Sequence, residues 1–352
     1  MRGSEVISSS RRAPRDLGYH PLRVQEVVVE TSEARSFVFD VPPHLHEAFS
    51  YAAGQFVNVR VVVDGEEHVR CYSMSSTPGV DPHLTITVKR VPEGLVSNWL
   101  CDTVVDGDLL DVGLPTGFFQ LTAADDDVIA FAAGSGITPV FSLMKSTLAA
   151  TDRRVHLLYA NRDREAIIFD GDIDVLAGRH PDRLRVLHHL DAERGFVDDE
   201  VVRQFAAMAD DGPCYLCGPE PFMDTVERAL LGAGVHPDRL HVERFSPAPP
   251  PVPPAPADGA TDAQITIELD GRTETTQHRP GMTVLQTARQ AGLAPPFSCE
   301  SGNCATCMAH LDEGACTMLA NNALTDDEVA DGWILTCQAV PTRGPVRVVY
   351  GF

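Results

Sequence analysis

Basic residues are the scarce class in this chain: 28 Lys and Arg stand against 50 Asp and Glu in 352 residues, a formal net charge of −22. That deficit argues against recognition of nucleic acid through its phosphates, which needs a cationic surface. Two readings of the acidic excess stay open, steering toward a basic partner and plain solvation. Long apolar runs are missing too. None approaches the roughly 18 residues of a membrane-spanning helix, so no membrane span is expected. Residues 1–20 carry Arg2, Arg11, Arg12 and Arg15 but no apolar stretch. The expectation there is a flexible leader over 1–19 and no secretory signal. Nine cysteines, an odd number, fit a reducing, cytoplasmic compartment better than a disulfide framework.

Four of those cysteines carry the strongest signal. Cys299, Cys304, Cys307 and Cys337 follow the spacing C-x4-C-x2-C, then 29 residues, then C. Four thiolates so spaced hold a plant-type [2Fe–2S] cluster. Structural zinc, the weaker alternative, prefers paired C-x2–4-C knuckles, and only one such pair is present here. Ser298, Ser301, Gly302 and Ala305 are small, as a loop wrapped around an inorganic core requires. The run from Pro296 to Cys307 resembles the cluster loop of plant-type ferredoxins. Cys316 lies outside the pattern and reads as an ordinary buried thiol.

Composition marks one boundary directly. Residues 246–257 read SPAPPPVPPAPA, seven prolines in twelve residues, an extended and semi-rigid spacer. Upstream, strand-like runs at Leu22–Glu30, Ser36–Val41, Gln55–Val63 and His83–Val91 are bounded by Gly, Pro and Asp. A short helix is predicted at Val96–Asp102. This texture suits an antiparallel barrel. From Asp127 strand and helix alternate: Val128–Ala133, Pro139–Leu148, Arg154–Asn161, Leu184–Leu190, Asp199–Ala209, Cys214–Cys217 and Pro221–Leu231. Val140, Leu143, Met144 and Thr147 keep helical spacing, and such alternation implies a parallel sheet covered by helices. Beyond the spacer, strands are predicted at Gln264–Leu269, Trp333–Ala339 and Val346–Tyr350.

The heptad Arg70-Cys71-Tyr72-Ser73-Met74-Ser75-Ser76 ends one barrel strand. It offers a guanidinium for a pyrophosphate, an aromatic face for a flat ring, and a hydroxyl. It resembles the R-x-Y-S-x-x-S flavin motif of the ferredoxin–NADP reductase superfamily, and Gly94-Leu95-Val96-Ser97 matches that family's G-x-x-S element at a helix N-terminus, a natural anion site. The resemblance implies that Arg70 binds a flavin phosphate, Tyr72 stacks beside the ring system, and Ser73 donates toward N5. Backbone N–H groups of Gly94, Leu95, Val96 and Ser97 would serve the phosphates. Ser76, where FMN-using members commonly have Asn, implies FAD.

Ala133-Gly134-Ser135-Gly136-Ile137-Thr138-Pro139 follows an apolar strand and opens a helix. Glycines let the backbone approach a pyrophosphate there. The form is G-x-G-x-x-P, not the G-x-G-x-x-G dinucleotide fingerprint, and in the same superfamily the proline form is usual. By resemblance Gly134, Gly136, Thr138 and Pro139 bind nucleotide, with Thr138 close to both rings. Cys217-Gly218-Pro219-Glu220-Pro221-Phe222-Met223 matches the family's C-G-P-x-x-F-M, which places Cys217 by the nicotinamide and Gly218 and Pro219 at the cofactor. Cys214 and Cys217 also form C-x-x-C, but their segment reads as a buried strand and not as a redox site. By resemblance Phe245 covers the flavin and Glu243 sits beside the hydride path. A 2′-phosphate would need cations. Arg162 and Arg164 are placed for that or for plain solvation, while Tyr159-Ala160-Asn161-Arg162 resembles NADH-using oxygenase reductases. NADH is therefore the expected donor, with NADPH the alternative.

The fold class is thus multidomain: a flavin-binding antiparallel β-barrel (20–122), an α/β parallel-sheet nucleotide domain (123–245), a proline-rich linker (246–262) and an α+β β-grasp ferredoxin domain (263–352). The order resembles reductase components of bacterial oxygenases, of the 3-ketosteroid 9α-hydroxylase and phenylacetyl-CoA epoxidase type. It implies electron flow from NADH through FAD and the [2Fe–2S] cluster to an external acceptor, with Ser73, Cys217 and Glu243 nearest the hydride step. The sequence has no paired Cys-x-His, no Glu-x-x-His pairs of a di-iron bundle and no haem motif. A separate terminal oxygenase, hydroxylase or desaturase is therefore the expected partner of a monomeric reductase. Glu300, Asp312 and Glu313 would meet it. A quinone or oxygen oxidoreductase and a redox-sensing regulatory module are the competing classes, and no residue pattern supports either.

Overall fold

The computed structural model describes residues 18–123, 125–208, 212–245, 264–269, 271–297, 299, 300, 302, 304–321 and 323–350. Most of the expected leader, the proline-rich linker, Ser298, Ser301 and Ala209 lie outside the described residues. The chain forms two compact units, one over Gly18–Ala248 and one that includes Pro249–Phe352.

In the first unit, β1 (His20–Thr31), β2 (Ala34–Asp40), β3 (Phe56–Val63), β4 (Glu66–Ser73), β5 (Leu84–Lys89) and, after helix α1 (Leu95–Thr103), β6 (Leu109–Val112) build an antiparallel sheet. Its order is β4-β3-β6-β1-β2-β5. The Met74↔Ile86 bridge joins the two edge strands and closes the barrel. Period-two alternation puts Leu22, Val24, Phe37, Phe39, Ile86 and Val88 inside. The opposite residues of β2 and β5, among them Ser36 and Thr87, face out of the barrel. Strand β4 (EEHVRCYS) is mostly polar and only partly buried, so its length was not legible from hydrophobic pattern.

The nucleotide half follows as β7 (Val128–Ala133), α2 (Ile137–Ala150), β8 (Val155–Asn161), α3 (Asp170–Arg179), β9 (Leu184–Leu190), α4 (Asp191–Arg194), α5 (Asp199–Ala206), β10 (Cys214–Cys217), α6 (Glu220–Gly232) and β11 (Leu240–Glu243). The sheet is wholly parallel in the order β11-β10-β7-β8-β9. Strands β7 and β8 are buried along their whole length, as parallel strands covered on both faces must be. Helices α2 and α3 supply one apolar layer and α5 and α6 the other. The strand order reverses between β7 and β10, and open α/β sheets bind ligands outside the carboxyl ends at such a point. Helix α3 escaped the sequence reading. It contains two glycines and buries one side chain, Ile173, so it shows no apolar stripe.

The second unit is a mixed sheet, β13-β12-β16-β14-β15. It comprises β12 (Gln264–Leu269), β13 (Arg272–Gln277), helix α7 (Val284–Gln290), β14 (Met308–Met318), helix α8 (Asp326–Ala330), β15 (Trp333–Leu335) and β16 (Ala339–Val349). Strands β12 and β16 run parallel and the other pairs antiparallel. Thr283 and Gln286 form a capping box that starts α7. One expectation is corrected. The run Trp333–Ala339 is not one strand but breaks into a turn at Thr336–Gln338. There the Thr336 N–H and Oγ1 both donate to the Cys307 carbonyl, at 3.2 and 2.9 Å, which turns Cys337 toward Cys307.

Candidate functional site

Strands β4 and β5, the N-terminus of α1, the turn after β7 and the segment after β11 converge on a cleft of about 250 Å³. Arg70, Tyr72 and Ser73 line one side, Leu95, Val96 and Ser97 another, and Ser135, Thr138 and Phe245 a third. Arg70 is exposed and donates to the Val69 carbonyl at 2.8 Å. Among the described residues it has no carboxylate partner, unlike Arg90, which is tied to Asp102 at 2.6 Å. Burial pushes the Tyr72 phenol up, so this ring is a neutral face. Helix α1 has no side-chain cap, and its first N–H groups, those of Leu95, Val96 and Ser97, have no intrahelical acceptor.

Two placements depart from the sequence reading. The Gly94 N–H is committed to the Val91 carbonyl at 2.9 Å, so this residue contributes shape and no donor. A Cβ there would meet Val91 Cβ at 2.8 Å and Ser97 Oγ at 2.9 Å. Ser76 does not line the cleft. Its hydroxyl is bound by Tyr51 at 2.6 Å and by the Thr85 N–H at 2.8 Å, and it faces a second cavity beyond the barrel wall. Past Ser73 the chain leaves β4 to make the closing bridge, which carries Ser76 away from the strand face shared by Arg70 and Tyr72. Thr87 and Lys89, which the sequence reading passed over, do line the cleft. Only their outward register on β5 could have found them.

At the carboxyl ends of β7 and β10 the two glycine motifs pack on each other. A Cβ on Gly136 would lie 2.1 Å from the Cys217 carbonyl oxygen and 2.6 Å from the Gly218 nitrogen; one on Gly218 would meet Phe222 and Ala133 within 3.0 Å. Gly134 takes φ +52. Thr138 Oγ1 donates to the Ser135 carbonyl at 3.0 Å, and Pro139 is buried behind it while Pro219 caps α6 from an exposed position. Cys217 is fully buried. Its thiol is pushed well up, first by burial and then by Glu243, its partner in the β10–β11 register. A neutral thiol shapes a contact and does not act as nucleophile. Glu243 is likewise buried, and Phe245, two residues on, is 40% exposed.

In the second unit Cys304, Cys307 and Cys337 are 1%, 2% and 5% exposed, and Cys299 is half-buried. The Cys299 N–H donates to Cys304 Sγ at 3.4 Å. Cys307 is pushed well up, chiefly by its hydrogen bond with Cys337, then by burial. The connecting loop holds Glu300, Gly302 and Ala305 at positive φ, and a Cβ on Gly302 would meet the Ala320 carbonyl oxygen at 2.9 Å. Cys307 and Cys337 stand in an apolar wall with Leu285, Leu324, Trp333 and Leu335, Cys304 neighbours Cys307, and the Cys299 N–H is aimed at Cys304 sulfur, a soft donor set whose chemistry fits an iron–sulfur cluster.

Arg289 pins this loop from α7. Its guanidinium grips Glu300 with two bonds of 3.0 and 2.9 Å and lies 3.8 Å over the Phe297 ring, while Gln338 Nε2 donates to the Glu300 carbonyl at 2.7 Å. The pair is about one-third exposed, so Arg289→Ala is expected to cost about 1 kcal/mol or less. It should read as slightly earlier loss of visible absorbance on heating.

Family models match the same three stretches: an oxidoreductase FAD-binding domain over residues 21–121, an oxidoreductase NAD-binding domain over 131–228, and a 2Fe-2S iron-sulfur cluster binding domain over 267–342. The ferredoxin reductase component of 3-ketosteroid-9-alpha-monooxygenase from Mycobacterium tuberculosis is 40% identical over 347 residues, covering 95% of this chain and 97% of that protein. The chain belongs to the family of oxygenase reductase components. The reductase of glycine betaine monooxygenase from Pseudomonas aeruginosa is 32% identical over 95% of this chain and 96% of its own length. One component of the 1,2-phenylacetyl-CoA epoxidase of Escherichia coli is 31% identical over 94% and 97%. A solved phthalate dioxygenase reductase shares the fold, with a TM-score of 0.61 at 24% identity, covering 96% of this chain and all of that one.

This reductase is therefore an NADH-dependent oxidoreductase that uses FAD and a [2Fe–2S] cluster. Its charges agree with the choice of donor. Arg162 is paired with Asp163 at 2.9 Å and Glu33 at 3.4 Å, and Arg164 with Asp170 at 3.6 Å, so both cations a 2′-phosphate would use already have carboxylates. The acidic docking triad changes. Glu300 is held by Arg289, and Asp312 by His310 at 2.7 Å with Arg347 nearby at 3.8 Å. Of the three, only Glu313 is exposed. No helix among the described residues is long and apolar enough to cross a membrane.

Proposed function

We propose that this reductase supplies electrons, one at a time, to a separate oxygenase component of the kind its relatives serve, and acts as a monomer in the reducing cytoplasm. The convergence of Arg70, Tyr72 and Ser73 with Ser135, Thr138 and Phe245 on one cleft carries the reading, because it joins the flavin and nicotinamide elements. Each sheet encloses its own core, and no disulfide joins any of the cysteines among the described residues. The domain limits are taken as 20–122, 123–245 and 263–352, joined through 246–262.

Bound FAD would supply the chemistry of hydride acceptance and one-electron release toward the cluster. The chain's own residues bind and orient. Arg70 and the amides of Leu95, Val96 and Ser97 neutralise phosphate at a helix N-terminus. Tyr72 and Phe245 flank a flat ring, Ser73 offers its hydroxyl, and Thr138 limits the approach from the nucleotide side. Gly134, Gly136, Gly218 and Pro219 let a dinucleotide lie close to backbone, with Pro139 fixing the start of α2. Cys217 and Glu243 lie buried on β10 and β11, outside the cleft lining, so catalysis rests on position. Cys299, Cys304, Cys307 and Cys337 would hold the cluster.

Reconstitution tests this reading. NADH with the reductase and the oxygenase component of a 3-ketosteroid 9α-monooxygenase should give hydroxylated steroid only when both proteins are present. An oxygenase that stays oxidised beside fully reduced reductase, with this and with a glycine betaine oxygenase, would sink the assignment to that class of partner.

A further inference from the structure

Behind the cleft, between the barrel wall and helices α2 and α3, lies a second cavity of about 630 Å³. A line of hydroxyls leads into it. Ser36 Oγ donates to Glu30 Oε1 at 2.5 Å, Ser36 Oγ meets Thr87 Oγ1 at 2.7 Å, and Thr87 Oγ1 meets Ser75 Oγ at 2.8 Å. The β2–β5 register sets Ser36 directly opposite Thr87, and the three hydroxyl residues are all at most 4% exposed. Thr87 lines the nucleotide cleft, whereas Ser36 and Glu30 line the second cavity. The chain therefore runs along the outer barrel face from one to the other.

Apolar side chains would fill this wall equally well, and buried hydroxyls are costly unless bonded. Their arrangement also has a direction. An ionised Glu30 only accepts, so Ser36 donates to it and Thr87 donates to Ser36, while the Ser75 hydroxyl is shared between Thr87 and the Thr85 carbonyl at 3.4 Å. A proton taken up on the remaining lone pair of Thr87 passes along as each hydroxyl gives its own hydrogen onward, and it emerges on Glu30.

The chemistry leaves such a proton. One NADH and two oxidised one-electron acceptors yield NAD+, two reduced acceptors and one proton. We propose that Thr87, Ser36 and Glu30 form the exit for that proton, from the cleft to the second cavity; the proposal rests on the electron path given above. Burial raises the Glu30 carboxyl, with Ser36 opposing and Asp172 adding to the rise, so the terminal group holds a proton at higher pH than an exposed glutamate. The groups that face it across the cavity are Glu26 on its own strand, Asp81 and His83 before β5, Lys145 on α2, Asp172 and Arg179 on α3, and His180 just beyond α3. Lys145 is already paired with Asp81 at 2.5 Å, leaving Glu30 without that counter-charge.

The holoenzyme, reduced anaerobically with one equivalent of NADH, would be mixed with excess ferricyanide in weak buffer containing a pH indicator. Ferricyanide takes electrons without protons, so the indicator reports the enzyme's proton alone. Thr87→Val is expected to delay proton appearance by about tenfold, Thr87→Ser to restore it, and Glu30→Gln, remote from the cleft lining, to delay it as Thr87→Val does. Wild-type proton traces in both Thr87→Val and Glu30→Gln, at full flavin content, would overturn the exit. A wild-type enzyme that NADH fails to reduce would instead overturn the electron path itself.

Discussion

Replacing Cys307 by serine should lower NADH-driven reduction of a one-electron protein acceptor by about a hundredfold or more, because the thiolates are what hold such clusters. Cys307 is the sharpest choice of the four. It is 2% exposed, its thiol bonds to Cys337, and its carbonyl receives both donors of Thr336. A serine hydroxyl there is shorter and a much harder ligand. The nucleotide cleft belongs to the other compact unit, so bleaching of the flavin by NADH should persist. The checks are iron content, the visible spectrum and parallel rates with a protein acceptor and with NADH alone. A variant that keeps full protein-acceptor rates without iron would place electron exit at the flavin and favour a quinone-type oxidoreductase.

Gly136→Ala is the second large effect. Its Cβ would lie 2.1, 2.3 and 2.6 Å from the Cys217 oxygen and carbon and the Gly218 nitrogen. All three are backbone atoms at the ends of buried strands, and no rotamer can relieve them. The turn after β7 must part from the turn after β10, the two halves of the proposed nicotinamide site. Overpacking of this kind costs about 1–3 kcal/mol, and the KM for NADH should rise by about tenfold or more, the equivalent of roughly 1.4 kcal/mol in binding. Gly134→Ala is the control. Its Cβ meets only Lys89 Nζ at 3.4 Å, so the cost is the left-handed φ alone, about 1–2 kcal/mol. Thermal denaturation and NADH saturation curves on the two variants separate steric parting of the turns from backbone strain.

These two positions also show what a linear reading of the chain can and cannot supply. The C-x4-C-x2-C run and the two glycine motifs are short contiguous strings whose chemistry dictates their order, so the cofactor classes and the turns were legible without coordinates. The mutual packing of Gly136 against Cys217 was not, since some 80 intervening residues must fold first. Where Ser76 points was not legible, because a motif lists residues without saying where the strand ends; the chain turns after Ser73, and the hydroxyl meets Tyr51. Glu300 and Asp312 misled because acidity in sequence does not reveal the Arg289 and His310 that hold them. The Glu30–Ser36–Thr87 line had no sequence signal at all. It exists only because the β2–β5 register sets two unremarkable hydroxyls opposite each other on the outer barrel face. Helix α3 has no apolar stripe to read, and the run Trp333–Ala339 breaks because Thr336 bonds to the distant Cys307 carbonyl.

The most direct test of the whole account is an anaerobic titration of the purified protein with NADH, followed by absorbance and by low-temperature paramagnetic resonance. Flavin bands and the broad iron–sulfur absorption should bleach together, with a reduced-cluster signal that Cys307→Ser lacks. Flavin bleaching with no iron, no resonance signal and stoichiometric zinc would contradict it.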